Sequence, residues 1–307
     1  MTFANPGIPL ALGDRRVLHP GPLRWLRALG WMALLFIVVA VPSYAAIGGL
    51  TAVLPEGAVS SLIANTSGAV ISLLLYGLLV WGGEARRPSE LGLRAAPVEL
   101  ITGLVIGAAM FATVMGLMAV FGLYDFVWKG AATIWEPLGF TIQSGVVEEV
   151  LTRAIILRLV WRAFGPWAAF AFSAALFGAL HLSNPNATPF AALCIAVEAG
   201  IMLGAFYALT GRIWVSIGVH AAWNFTQGYL FGAAVSGTDF GPSLATSTAR
   251  SGFPAWLTGG AFGPEASVPG LAVGTAVGVG VLWLAWKAGR FARPVGPEGL
   301  EPPTRPL

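Results

Sequence analysis

The chain has 307 residues, a net charge of +3, 56% hydrophobic residues and only 10% charged ones. A soluble globular domain carries about 25% charged residues, so too few remain to coat a water-facing surface, which excludes a cytosolic enzyme, a disordered chain and a nucleic-acid binder. A single cysteine, Cys194, excludes a disulfide framework and any multi-cysteine zinc or iron–sulfur site.

A helix needs about 20 mostly apolar residues to cross a bilayer. In chain order, eight stretches qualify: 29–50, 59–81, 98–124, 134–164, 166–182, 189–209, 213–231 and 268–288. The expected fold is therefore all-α, a polytopic membrane bundle of about eight helices. It divides into a basic tail (1–28), a membrane-embedded domain (29–289) and a Pro-rich tail (290–307) that reads as disordered. The segment 232–267, rich in Gly, Ser, Thr and Pro, reads as a long irregular loop. Arg15, Arg16, Arg24 and Arg27 precede the first span, and Lys287, Arg290, Arg293 and Arg305 follow the last. With Arg86, Arg87 and Arg94 between spans two and three, Arg158 and Arg162 closing span four, and Arg212 between spans six and seven, fourteen of the seventeen basic residues fall on one side. By the positive-inside rule both termini are cytoplasmic, in an inner or plasma membrane of bacterial type. A cleaved signal peptide is the competing reading of the first stretch, but the alternation needs that span.

An ionisable residue inside a membrane is a functional candidate by default. Span four holds Glu148, Glu149 and Arg153; span five ends at His181; span six holds Glu198; span seven holds His220 and Asn224. Residues four apart share a helix face. Glu149 can therefore pair with Arg153, while Glu148, rotated by about 100°, stays free for chemistry. Phe177 stacks below His181 in the same way, and Asn224 lies one turn beyond His220. Glu198 fits none of these patterns and reads as structural or cavity-lining, with a third carboxylate near the site as the alternative. Glycines four apart, at 103 and 107, 200 and 204, and 270, 274 and 278, read as close helix packing.

Depth along the helices is less consistent. Glu148 and His181 each lie fourteen residues from a basic-side helix end, about 21 Å. His220 is only seven residues past Ile213, about 10 Å in.

The patterns E-E-V-L-T-R, F-G-A-L-H and H-A-A-W-N resemble, in order and spacing, the three motifs of the CAAX protease and bacteriocin-processing (Abi) family of intramembrane proteases. The resemblance covers about 98–231. The turn Thr210-Gly211-Arg212-Ile213-Trp214 is similar to the family's T-G-S-L-W, with Arg212 in place of Ser. The resemblance implies an intramembrane endopeptidase whose first Glu and first His, Glu148 and His181, hold the attacking water. Its second His and the Asn, His220 and Asn224, hold the oxyanion. Glu149, Arg153 and Phe177 complete the site. The implied substrate is a membrane-associated protein or lipidated peptide, met among membrane lipids.

The reaction would need no serine or cysteine nucleophile, because a carboxylate in a low-dielectric cavity can act as a general base. Two histidines and two carboxylates would also suit a zinc-type divalent metal, although H-E-x-x-H is absent. The metal-free route is preferred, since Glu149 is expected to be tied to Arg153 and an Asn suits an oxyanion hole better than a metal. The alternative function is a non-proteolytic scaffold or self-immunity protein that keeps the fold.

Overall fold

The computed structural model describes residues 10–291. Residues 1–9 and 292–307 fall outside the described part, and with them most of the expected Pro-rich tail. Eight helical rods run through the remainder: α1 (Arg24–Val53), α2 (Ala58–Glu84), α3 (Ala96–Val120), α4 (135–164), α5 (Pro166–Leu180), α6 (Pro189–Thr210), α7 (214–230) and α8 (Val268–Lys287). The protein is an all-α helical bundle. Six rods, all but α4 and α7, are long and apolar enough to cross a membrane. The other two carry most of the candidate site, and their regular α spacing is broken by wider π-type turns at 144–157 and 226–230. Such turns recur at functional sites. Large apolar side chains such as Ile37, Leu74, Leu78, Ile101, Val105 and Trp283 face outward from the bundle, as a lipid-facing surface requires.

Three expectations are corrected. The third span does not run to Tyr124. Leu123 N–H returns to Met118 C=O at 2.8 Å and Gly122 takes a φ of +62°, which ends α3. The aromatic and β-branched run that follows then forms strand β1 (Tyr124–Trp128). It pairs antiparallel with β2 (Ala245–Ala249), Tyr124 opposite Ala249, so the 232–267 segment is not wholly irregular. α1 starts at Arg24, and Leu18 before it is fully buried.

The third correction concerns Arg158, counted above among the basic residues that close span four. It is fully buried and bidentate to Glu84 at the end of α2, at 3.0 and 2.7 Å. Trp31 Nε1 and Arg86 Nε donate to the same carboxylate at 2.9 and 2.6 Å. Arg86 then reaches Glu90 at 2.7 and 2.8 Å, and the Tyr76 hydroxyl donates to Glu90 too. Burial pushes the Glu90 carboxyl up, but the Arg86 hydrogen bonds and the Arg158 and Arg86 charges outweigh it and hold Glu90 below its ordinary value. A lowered carboxylate contributes stability above its unfolded value, and that stability is lost as the pH falls through the folded one.

Removing one partner of a buried pair costs about 3–5 kcal/mol. Glu84→Leu strands Arg158, whose next carboxylate, Glu90, is 3.9 Å away. The variant is expected to lower the thermal midpoint of the detergent-solubilised protein sharply. An unchanged midpoint would mean that the cluster does not hold α2 to α4.

The glycine pairs act at close approaches, as their spacing suggests. A Cβ on Gly103 or Gly107 of α3 would lie 2.4 or 2.3 Å from the carbonyl oxygens of Val215 and Val219. α3 therefore lies directly against the backbone of α7 and fixes the rod that carries His220.

Candidate active site

α4 presents its two carboxylates in different directions. Glu149 faces inward, fully buried, and accepts Arg153 Nη1 at 2.9 Å, the pairing expected from the four-residue spacing. Glu148 is turned away and its side chain is 27% exposed. Its carboxylate accepts no hydrogen bond among the described residues, so its oxygens are open to water.

α7 adds a contact that helical spacing did not give. His220 Nδ1 lies 2.9 Å from Glu149 Oε1. Because Glu149 is already held as a carboxylate by Arg153, the ring N–H is the donor. Nε2 then points toward Glu148 Oε2, 3.9 Å away. The depth mismatch read from the sequence is thereby removed. α4 is about 45 Å long, so its last turns extend past the start of α7, and counting inward from both ends overstated the gap.

Asn224, one turn further on, gives one of its two amide N–H groups to Ser144 Oγ of α4 at 3.0 Å. The other N–H remains available. α5 supplies His181, whose Nδ1 is 2.8 Å from the Phe177 carbonyl. A carbonyl can only accept, so Nδ1 carries the hydrogen and Nε2 keeps a free lone pair.

Phe177 is the hub of the group. Its ring centroid is 4.7 Å from that of His181 and 6.3 Å, edge-on, from that of His220. The Arg153 guanidinium carbon sits 4.9 Å over the same ring. Such cation–π contacts strengthen where water is excluded. The predicted site residues of α4, α5 and α7 are therefore brought together around one aromatic ring.

Two cavities adjoin the group, and His181 lines both. The outer one, of about 330 Å³, lies between α1, α4 and α5, with Phe36, Tyr44, Glu148 and Leu180 in its walls. The inner one is small, about 30 Å³, and is walled by His181, His220, Asn224, Glu198 and Glu265 among others. Glu198 thus lies at the site rather than merely in the packing. Glu265, just before α8, and Tyr44 of α1 escaped the sequence reading. Neither has a motif, and both approach from elements far away in the chain. Arg212, where the family pattern has Ser, is accounted for locally: its Nε lies 2.8 and 2.9 Å from the two oxygens of Glu99 on α3.

No group of three or more His, Cys, Asp or Glu side chains among the described residues could hold a metal ion. Glu149 Oε1 serves both Arg153 and His220.

Residues 130–226 match the family model described as type II CAAX prenyl endopeptidase Rce1-like. No curated protein matches the chain, and no solved structure does. The matched segment includes Glu148, Glu149, Arg153, Phe177, His181, His220 and Asn224. The resemblance to the CAAX protease and bacteriocin-processing family therefore stands, and the function is of the intramembrane CAAX-endopeptidase kind, in an integral membrane protein whose substrates are membrane-associated.

Proposed function

We propose that this chain cleaves a lipid-modified, membrane-associated peptide by water activated at Glu148, without a metal. The observation that carries the reading is that His181 and His220 both pack on the Phe177 ring, with His220 Nε2 3.9 Å from Glu148 and Asn224 lining the inner cavity beside both histidines. A water in the outer cavity can donate one hydrogen to Glu148 and the other to the bare Nε2 of His181. Glu148 takes the first proton as the water oxygen attacks the peptide carbonyl. The carbonyl oxygen becomes an oxyanion, which needs donors placed in advance. Asn224 supplies its free N–H. His220 supplies Nε2–H when its ring is doubly protonated. Ser144 Oγ fixes the Asn224 amide, and Glu149 fixes the imidazole. The outer cavity matches the size of small-ligand clefts, about 300–1,000 Å³, and its α1 and α5 walls suit an alkyl or prenyl chain entering from the lipid. The basic ends of the rods face the cytoplasm in this reading.

The test uses the purified protein in lipid nanodiscs and a farnesylated peptide ending in Cys-aliphatic-aliphatic-X, with products read by mass spectrometry. Release of the last three residues is expected, at the same rate after dialysis against a zinc chelator. Activity lost to the chelator and restored by zinc would overturn the metal-free route. A protein that cleaves neither prenylated nor unprenylated membrane peptides would overturn the peptidase reading.

A further inference from the structure

Peptide hydrolysis makes a second demand that Glu148 and the oxyanion donors do not meet. The nitrogen of the scissile bond must gain a proton before it can leave as an amine. We infer that Glu198 is the acid that supplies this proton, through a water in the inner cavity; the inference rests on the peptidase reading above.

Glu198 is 2% exposed, and neither of its carboxylate oxygens has a hydrogen-bond partner. It forms no ion pair among the described residues. A carboxylate stripped of water with no donor and no cation is costly by several kcal/mol, whereas the neutral acid is far cheaper. Its acidic neighbour is better provided for. Glu265 Oε1 accepts the Ser236 backbone N–H at 2.6 Å and the Ser236 hydroxyl at 2.7 Å. Burial pushes Glu265 up, while the Ser236 hydrogen bonds oppose that rise. Of the two, it is Glu198 that must keep a proton.

Position makes that proton useful. Glu198 shares the inner cavity with His220 and Asn224. The oxyanion those two residues would hold and the scissile nitrogen are bonded to the same carbon, so the nitrogen lies at this cavity's edge. The space is about 30 Å³, room for roughly two waters and too small for a side chain of the substrate. A proton relay fits it; a specificity pocket does not. The backbone around Glu198 is held firmly. Its wide turn, 196–201, packs on α8 so closely that a Cβ on Gly274 would sit 2.3 Å from the Glu198 Cβ.

The step balances. Glu198 gives its proton to the cavity water, which gives one of its own to the nitrogen as the C–N bond breaks. The electron pair of that bond stays on nitrogen, and the product is a neutral amine. Glu198 is left as a carboxylate, and the proton that Glu148 took from the attacking water restores it through water. One water is consumed, its oxygen and one hydrogen ending in the new carboxyl group.

The experiment compares the full-length protein and Glu198→Gln in nanodiscs on two substrates. One is the farnesylated peptide; the other is the same peptide with a thioester in place of the scissile amide. A thiolate leaves without a proton. General acid catalysis contributes about 10²–10⁴-fold, so kcat on the amide is expected to fall by that factor while the thioester rate holds. Glu198→Asp, which keeps an acid on a shorter stem, should regain part of the amide rate. The carboxylic-acid C=O band in the infrared difference spectrum between wild type and Glu198→Gln should be present. Equal loss on both substrates, no loss on either, or absence of that band overturns the inference alone. A wild-type protein that cleaves neither substrate overturns the peptidase reading together with it.

Discussion

Glu148→Gln is expected to abolish amide cleavage, lowering kcat by at least about 100-fold and by as much as about 10⁴-fold, the range for loss of a general base. The substitution is nearly isosteric and removes only the capacity to accept a proton. It should also leave the fold intact. The Glu148 carboxylate accepts no hydrogen bond among the described residues, and His220 Nε2 lies 3.9 Å from it. No buried partner is orphaned by the change. KM should hold, because the outer cavity is walled chiefly by apolar groups of α1 and α5 that the variant does not touch. The measurements are turnover on the farnesylated peptide and the thermal midpoint in detergent. Full turnover in the variant would remove Glu148 from the role of base. Lost turnover with a collapsed midpoint would show a structural residue instead.

The parts of this site that could be read from the sequence are those with a short periodic signature. Glu149 and Arg153, Phe177 and His181, and His220 and Asn224 each stand four apart, so one helix face carries both members of each pair. The apolar runs that define the rods are equally local, and six of them need nothing but length and hydropathy to be recognised. What stayed hidden depends on tertiary packing. Glu84 and Arg158 are 74 positions apart, and no rule of spacing joins them. Arg158 looked like one of the charges that close a span because it lies near a helix end. The contact between His220 and Glu149 spans 71 positions, and it turns what looked like a closed ion pair into a three-member chain. Tyr124–Trp128 misled for a different reason. An aromatic, β-branched run after an apolar helix continues the hydrophobic signal, and only the left-handed Gly122 betrays the break. Glu265 had no signature at all, since its role comes from lying opposite Glu198 in the folded chain.

Glu149 gives the second large effect, and it separates chemistry from architecture. Its Oε1 serves Arg153 and His220 at 2.9 Å each. In Glu149→Gln the side chain no longer carries the charge that holds and orients the His220 ring. Losing such an orienting carboxylate behind a histidine costs about 10⁴-fold in kcat in the serine-protease triad, and a loss of similar size is expected here with KM little changed. The same variant leaves Arg153, which is fully buried, without its carboxylate, a loss of about 3–5 kcal/mol in stability. A single substitution therefore confounds the two roles. The double variant Glu149→Leu with Arg153→Met resolves them. Replacing a buried ion pair with apolar residues of similar volume is often neutral or stabilising, and Met at 153 can keep packing on the Phe177 ring. The double variant should recover most of the thermal midpoint lost in Glu149→Gln and none of its turnover. Recovery of both would make Glu149 and Arg153 a purely structural pair, and His220 would then need no carboxylate behind it to serve the oxyanion.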